Sequence, residues 1–472
     1  MNAAATAIAV IDQGSTITKG AVYGLDGREL FTTETAVERR ITSTGVEHDP
    51  HQLIAAVQQV LTAARSAAPI AAVALTCQRS TCLVWDRETG EPLTTAISWQ
   101  DRSQLPRVKL LAKHADEVSR RTGLRLSPHY AAPKLAHLLE SVSGGRRRAA
   151  AGEIVAGTLD AFLVHQLTGS PCTEPGQAGR TLLYNLENGG WDSFLADLFG
   201  IPLNALPEVR PSVGDGRRIG DIPLIAVAGD QQAALLGHGG WSPGVTMAHF
   251  GTGAFVLASC GEEIVRHPNL LSAVIAEVGT TRRFQLEGTV NSAGSAADWA
   301  CRLTGESLAA WATREIVPEG LPWVLPAFNG VAAPWWRPEA RGVIAGLTIG
   351  TQGEDILGGV LLGVAMRILD CIDALGEAGI APEVLRVSGK LTRLNGLVGI
   401  LADVGQIPVE VSALEETGLS GLAKLAIAGL TGTHDLLGEA LTGARREPSW
   451  TADRALALRG RWRRFVRRSL DG

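Results

Sequence analysis

Residues 7–11 form an unbroken apolar, partly β-branched run; it stops at Asp12-Gln13-Gly14-Ser15-Thr16 and resumes over 19–23. A short apolar run bounded by turn residues reads as a buried strand, so the stretch predicts a hairpin with a polar glycine tip. The pattern returns mid-chain, where 245–250 leads through Gly251-Thr252-Gly253 into 254–259. Two such units, each opening one half of the chain, predict an internal duplication. The halves divide near residue 240, in the breaker-rich stretch Gly239-Gly240-Trp241-Ser242-Pro243-Gly244, giving domains 1–240 and 241–472.

Elsewhere the pattern predicts strands over 71–76, 224–228 and 384–387, and helices over 231–236, 355–375 and 391–404. Alternation of this kind indicates α/β layers. Gly144-Gly145-Arg146-Arg147-Arg148 predicts a solvated loop. The closing run RGRWRRFVRRSL predicts a surface helix with Trp462, Phe465 and Val466 packed on the body. The N-terminal stretch MNAAATAIAV lacks a basic flank and reads as a strand, not a signal peptide.

Composition narrows the class. At 472 residues and 45% apolar content, two or three domains can each bury a core. A net charge of -5 argues against a nucleic-acid partner, and no apolar run reaches membrane-spanning length. The six cysteines contain no Cys-x-x-Cys pair, so neither a zinc site nor a redox motif is indicated. Reduced thiols and a cytoplasmic location are the expectation. The composition is compatible with a homo-oligomer.

Phosphoryl transfer needs a phosphate cradle, a magnesium anchor and a base aimed at the acceptor hydroxyl. The Asp12 and Gly251 turns both offer backbone N–H groups to anionic oxygens, with hydroxyls at Ser15, Thr16 and Thr252 and a positive charge at Lys19. Either turn taken singly also reads as a plain hairpin tip. In Gly229-Asp230-Gln231-Gln232 a carboxylate stands between an apolar strand and a helix, where it can act as a general base or simply cap the helix. Arg79, in Gln78-Arg79-Ser80-Thr81, can fork onto vicinal hydroxyls or form a surface ion pair. Trp99 offers an apolar wall to a polyol, or belongs to the core.

These segments, taken in order, resemble the FGGY carbohydrate kinases. The likeness runs through IDQGSTITKGAV, TCQRSTCLVWDRETGEPLTTAISWQDR, GTLDAFLVHQLTG, GRTLLYN, GDQQAA, HFGTGAF and LPAFNGVAAPWWRPEARGVIAGLT, and is closest in motifs to the glycerol-kinase branch. It implies two actin-like, ribonuclease H-like domains with a catalytic cleft between them, and ATP with Mg²⁺ as cofactors. By position, it implies Asp230 as catalytic base and Asp12 as the metal residue. It implies Gly14, Ser15, Thr16 and Lys19 in the first phosphate loop, and Gly251, Thr252 and Gly253 in the second. It implies Gln78, Arg79, Ser80, Trp99, His129, Asp230, Gln231 and Phe255 around a small sugar or polyol. Gly294, Asp298, Gly389, Lys390 and Asn395 fall at the nucleotide.

Two sets of departures qualify this. Glycerol kinases carry Gln-Arg-Glu where this chain has Gln78-Arg79-Ser80, and a Tyr where it has His129. The acceptor expected is therefore a larger or differently substituted polyol or sugar, not glycerol itself. Lys390 stands where a second glycine is usual, and Leu394 where a polar residue is common. That motivates one alternative, a non-catalytic, sugar-sensing or regulatory protein of the same fold; a third reading that shares the fold is an actin- or chaperone-like ATPase acting on protein.

Overall fold

Both predicted hairpins form, and each begins a five-strand unit of one design. The computed structural model describes residues 6–41 and 45–471, so Met1–Ala5 of the predicted N-terminal strand lie outside the described residues. In the first half the strands are β1 (Ala7–Gln13), β2 (Ile17–Gly24), β3 (Glu29–Ala36), β4 (Ile70–Cys77) and β5 (Ile222–Gly229). In the second half they are β6 (Thr246–Phe250), β7 (Ala254–Gly261), β8 (Leu271–Val278), β9 (Thr281–Val290), β10 (Leu385–Gly389) and β11 (Val409–Ser412).

The first sheet runs β3-β2-β1-β4-β5 and the second β9-β7-β6-β10-β11, with extra strands at the edges. In both, a three-strand antiparallel meander continues into two parallel strands. The shared order is the duplication read from the two hairpins. The parallel strands are almost continuously apolar because both faces are covered. A smaller sheet combines Arg40–Ile41 and Val46–His48, from between β3 and β4, with Cys82–Asp86, Ala96–Ile97 and Ile154–Thr158, from between β4 and β5.

Strand alternation decides which residues look into the cleft. The odd side chains Ala7, Ala9 and Ile11 of β1 pack under helix α1 (Pro50–Ala67). Ile8 and Val10 instead pack against α2 (Asp230–Gly237) and α6 (Thr417–Thr431), the latter supplied by the second half. Asp12 continues that even-numbered face. In the second sheet Ala248 and Phe250 pack with α3 (Gly294–Thr304) and α4 (Gly353–Glu377), while Met247 joins α2 and α6.

The C-terminal helix, α7 (Ala452–Asp471), buries Trp462 and Val466 and rests Phe465 on the same core, as predicted. Two other expectations are corrected. Residues 144–148 are not a free loop: Gly144 adopts a left-handed conformation and starts a short helix, Gly145–Ala150, whose Arg146 pairs with Glu140. Nor is 391–404 one helix. A 3₁₀ turn, Lys390–Arg393, ends at an extended Leu394, and α5 (Asn395–Gly405) begins after it. Leu394 is anchored in the core at 4% exposure, which forces the break. Among the described residues, no helix is long and apolar enough to cross a membrane.

Candidate active site

The parallel register brings the predicted residues to one sheet edge. Asp12 lies opposite Thr76, and both Gln13 and Gly229 lie opposite Cys77. The residues leaving these strands, Gln78-Arg79 and Asp230, therefore meet Asp12 at the carboxyl ends of β1, β4 and β5, where ligands of open α/β sheets bind. In the second sheet Phe250 lies opposite Gly389, which places Gly251 and Lys390 at the corresponding edge.

Asp230 does not cap its helix: Gly229 holds the cap position, and no side chain makes the cap bond. One Asp230 carboxylate oxygen accepts from Gln231 N–H at 2.7 Å and lies 3.3 Å from Arg79 Nε. Arg79 is no surface residue either, being 7% exposed. Its Nη1 and Nη2 donate to Glu287 at 2.7 and 3.3 Å, and its guanidinium lies 5.6 Å from the Phe255 ring centroid. Arg180 donates to the same carboxylate at 3.0 and 3.4 Å. Burial opposes ionisation of Glu287, but Arg180 and Arg79 outweigh it and hold its carboxyl down at about 2.

The inserted sheet supplies the opposite wall. Trp99 is partly exposed, and its indole N–H donates to Ser15 Oγ at 3.1 Å; Ser15 in turn donates to Gln78 at 3.0 Å. Ser15, placed by sequence at the phosphates, thus ties the first turn to the acceptor wall. His129 makes edge contacts with Trp99 and Tyr130, with centroids 5.7 and 5.0 Å away. Burial, helped by Arg180, Lys134 and Arg79, pushes the His129 imidazole well below its usual range, so it is neutral. Ser80 is fully buried in a left-handed conformation (φ 64°), and its hydroxyl donates to the Arg180 carbonyl. Beneath it the Lys134 ammonium donates to the carbonyls of Ser80, Ser98 and His129 at 2.6, 3.1 and 2.9 Å.

Asp12 fits a cation. Its Oδ1 is buried with no hydrogen-bond partner. Burial, then Asp230 and Glu416, push its carboxyl up to about 7 against the opposing pull of Lys19. A hard divalent ion with oxygen ligands relieves that strain. Lys19, on β2 opposite Asp12, forms an ion pair with Glu416 at the start of α6.

The second turn is organised by backbone. The amides of Ala293 and Ser295 donate to the Thr252 carbonyl at 3.1 and 3.0 Å, and Gly294 N–H to Gly251 at 3.1 Å. A Cβ on Gly294 would stand 2.5 Å from the Gly251 carbonyl oxygen, so the close approach of α3 requires glycine. Gly389, at φ 99°, lies against the Phe250 backbone and is likewise restricted. Thr252 is exposed, as are Thr16, Lys390 and Asn395, and Asp298 lies exposed on α3 one turn beyond Gly294. Leu394 faces the core and not this edge, so its apolar character is no sign of a decayed nucleotide site. His249 Nδ1 and His238 Nε2 both bond Ser388 Oγ at 3.0 Å, linking the end of α2 to β10.

Sequence reasoning missed Glu287, Arg180, Lys134, Gln232 and Glu416. The signal for Glu287 and Lys134 was there: a lone charge in an otherwise apolar strand or helix face must find a buried partner. Glu287 stands in FQLEGTV and Lys134 in AAPKLAHLL.

With this geometry in place, the comparisons fix the class. The N-terminal domain of the FGGY family of carbohydrate kinases matches residues 7–237, and its C-terminal domain matches 246–430. The chain belongs to the FGGY family of carbohydrate kinases and is a phosphotransferase acting on an alcohol group. It is 37% identical over 484 residues to glycerol kinase of Citrifermentans bemidjiense, covering 98% of each. It is 36% identical over 446 residues to glycerol kinase of Alcanivorax borkumensis, covering 89% of each. In fold it matches Plasmodium falciparum glycerol kinase solved with ADP (TM-score 0.89, 24% identity, 98% of both chains). It also matches a xylulose kinase from Brucella ovis (TM-score 0.87, 20% identity, 98% of this chain and 97% of that one). The fold is the two-domain, actin-like one expected.

Proposed function

We propose that the chain transfers the γ-phosphoryl group of ATP to a hydroxyl of a small sugar or polyol other than glycerol, in a cleft between domains 1–240 and 241–472. The observation that carries the acceptor reading is Ser80: where glycerol kinases have a Glu, this residue is buried and its hydroxyl is already spent on the Arg180 carbonyl. The wall beside it is an imidazole, His129, held neutral among aromatic rings. A larger or differently substituted acceptor suits that pocket.

Asp230 takes the proton of the attacking hydroxyl, with Arg79 fixing the carboxylate and reaching vicinal oxygens. Trp99 and Phe255 wall the carbon skeleton, and Gln78 and Gln231 complete the polar rim. Asp12 holds Mg²⁺, which when bound supplies positive charge to the phosphate oxygens. The Gly14-Ser15-Thr16 and Gly251-Thr252-Gly253 turns and Lys19 face the phosphates, while Gly294, Asp298, Gly389, Lys390 and Asn395 border the nucleoside. Lys19 must exchange Glu416 for phosphate oxygen as ATP binds.

An ADP-release screen over triols, tetritols, pentitols and ketopentoses tests the reading. Turnover of a tetritol, pentitol or ketopentose should exceed that of glycerol. Glycerol as the best acceptor would overturn the reading of Ser80 and His129. Absence of nucleotide binding at millimolar Mg-ATP would favour the sensing role, and ATP hydrolysis stimulated by a peptide but by no sugar would favour the protein-acting ATPase.

A further inference from the structure

We propose that Glu287 is a positioning residue of the acceptor site: reaching over from the second sheet, it seats the Arg79 guanidinium so that only its Nε edge meets Asp230. This rests on the kinase reading above. Arginine has five N–H donors on a long flexible stem, and the geometry that best suits it is a forked pair on one carboxylate. If Arg79 made that pair with Asp230, both Asp230 oxygens would be held in charge-assisted bonds and the carboxylate would be a weaker base.

The structure gives the fork to Glu287 instead. Arg79 Nη1 and Nη2 go to its two oxygens, and Arg79 meets Asp230 through Nε alone, while Gln231 N–H and Nε2 donate to the two Asp230 oxygens at 2.7 and 3.4 Å. The seat is rigid. Glu287 is 0% exposed on β9, Gln285 donates to it at 3.4 Å, and Gln232 accepts from Arg79 Nη1 at 3.4 Å. Arg180, stacked 5.3 Å from the Tyr130 ring centroid, occupies the other side of the carboxylate and keeps it from turning away. The ionisable groups around it are Arg79, Arg180, Asp230, His129 and Tyr130, and His129 is neutral. One carboxylate therefore bridges two buried guanidiniums, leaving Asp230 free of bidentate capture.

Its origin matters as much as its charge. Arg79, Arg180 and Asp230 follow strands or turns of the first half, whereas Glu287 lies on a strand of the second. The productive arrangement of Arg79 thus exists only with β9 held against Arg79 and Arg180 of the first half.

The test compares Glu287→Gln with Glu287→Asp in the full-length protein, using the acceptor chosen by the screen. In Glu287→Gln the charge is gone and Arg79 turns onto Asp230. We expect kcat to fall about 100-fold, the acid limb of the kcat–pH profile to move to lower pH, and KM for Mg-ATP to stay within about threefold. Glu287→Asp keeps the charge on a shorter arm, so kcat should fall about tenfold with the acid limb where it is in the wild type. The proposal is overturned if either variant keeps kcat within threefold of wild type. Equal losses in both with an unmoved acid limb also overturn it, since packing alone would do that. If Glu287→Gln does not fold, Glu287→Asp decides alone by the same kcat criterion. A separate readout needs no turnover: the arginine Nε–H resonance assigned by Arg79→Lys should be protected from exchange in wild type and exchange at least tenfold faster in Glu287→Asp or Glu287→Gln. Protection unchanged by either substitution removes the seat even if no acceptor is ever found, which separates this proposal from the kinase reading itself.

Discussion

The two strand–turn–strand units share one plan, yet their surroundings treat charge in opposite ways. The Asp12 turn is set among ionised and polar side chains: Ser15 bridges Gln78 and Trp99, the half-buried Lys19 meets Glu416, and the buried Arg79–Glu287–Arg180 group lies beyond. The Gly251 turn is held by amides, glycine contacts and the start of α3, and its Thr252 is exposed. A duplicated frame has thus been given two chemistries. Side chains fix the acceptor side before any ligand arrives, whereas the nucleotide side offers backbone donors that suit any polyphosphate. Substitutions should therefore be felt far more sharply on the first side than on the second.

The largest effect is expected at Asp230. Asp230→Asn should cut kcat about 10³-fold with the melting temperature unchanged within about 2 °C, measured by coupled ADP release and thermal unfolding. A variant with near-normal rate would break the assignment of the base.

Asp12→Asn should cost about 100-fold in kcat and at the same time stabilise the metal-free protein. The sign follows from its raised carboxyl. Ionising Asp12 costs the folded state more than the unfolded one, so the penalty appears as pH rises from 3.8 and is complete above about 7. Without Mg²⁺, the variant should gain on the order of a few kcal/mol at pH 8, and the gain should vanish below pH ~4. Denaturant unfolding at both pH values checks this, and no gain at pH 8 would mean that Asp12 is not strained.

Leu394→Ala addresses the nucleotide side. As a core residue it should cost about 2–4 kcal/mol of stability and leave KM for Mg-ATP within about twofold. A large rise in KM without loss of stability would return Leu394 to the ligand. The smallest effect belongs to Lys390→Gly, which restores the glycine usual at that position. Because Lys390 is exposed beside a turn built from backbone, KM for Mg-ATP should change by no more than about threefold.

Much of this was legible because short-range patterns carry it. Apolar runs broken by Asp12-Gln13-Gly14 and Gly251-Thr252-Gly253 mark the two hairpins, and Asp230 stands where a buried strand meets a helix. Glu287 was not legible as a partner of Arg79, since 208 positions separate them and only the docking of the halves brings them together. Leu394 misled for a related reason: a motif position suggested a ligand, while long-range packing made it core. The loop expected at 144–148 became a helix because Gly144 provides the left-handed start and Glu140 a partner for Arg146.

The buried Lys134 ammonium has a consequence for how the pocket is built. It gathers the carbonyls of Ser80, Ser98 and His129, three segments that do not otherwise share a strand, around one atom. In that role it resembles a bound monovalent cation, supplied by the chain and unable to diffuse away. The three segments are thereby clamped at a common point, and the shape of the acceptor wall does not depend on which salts surround the enzyme.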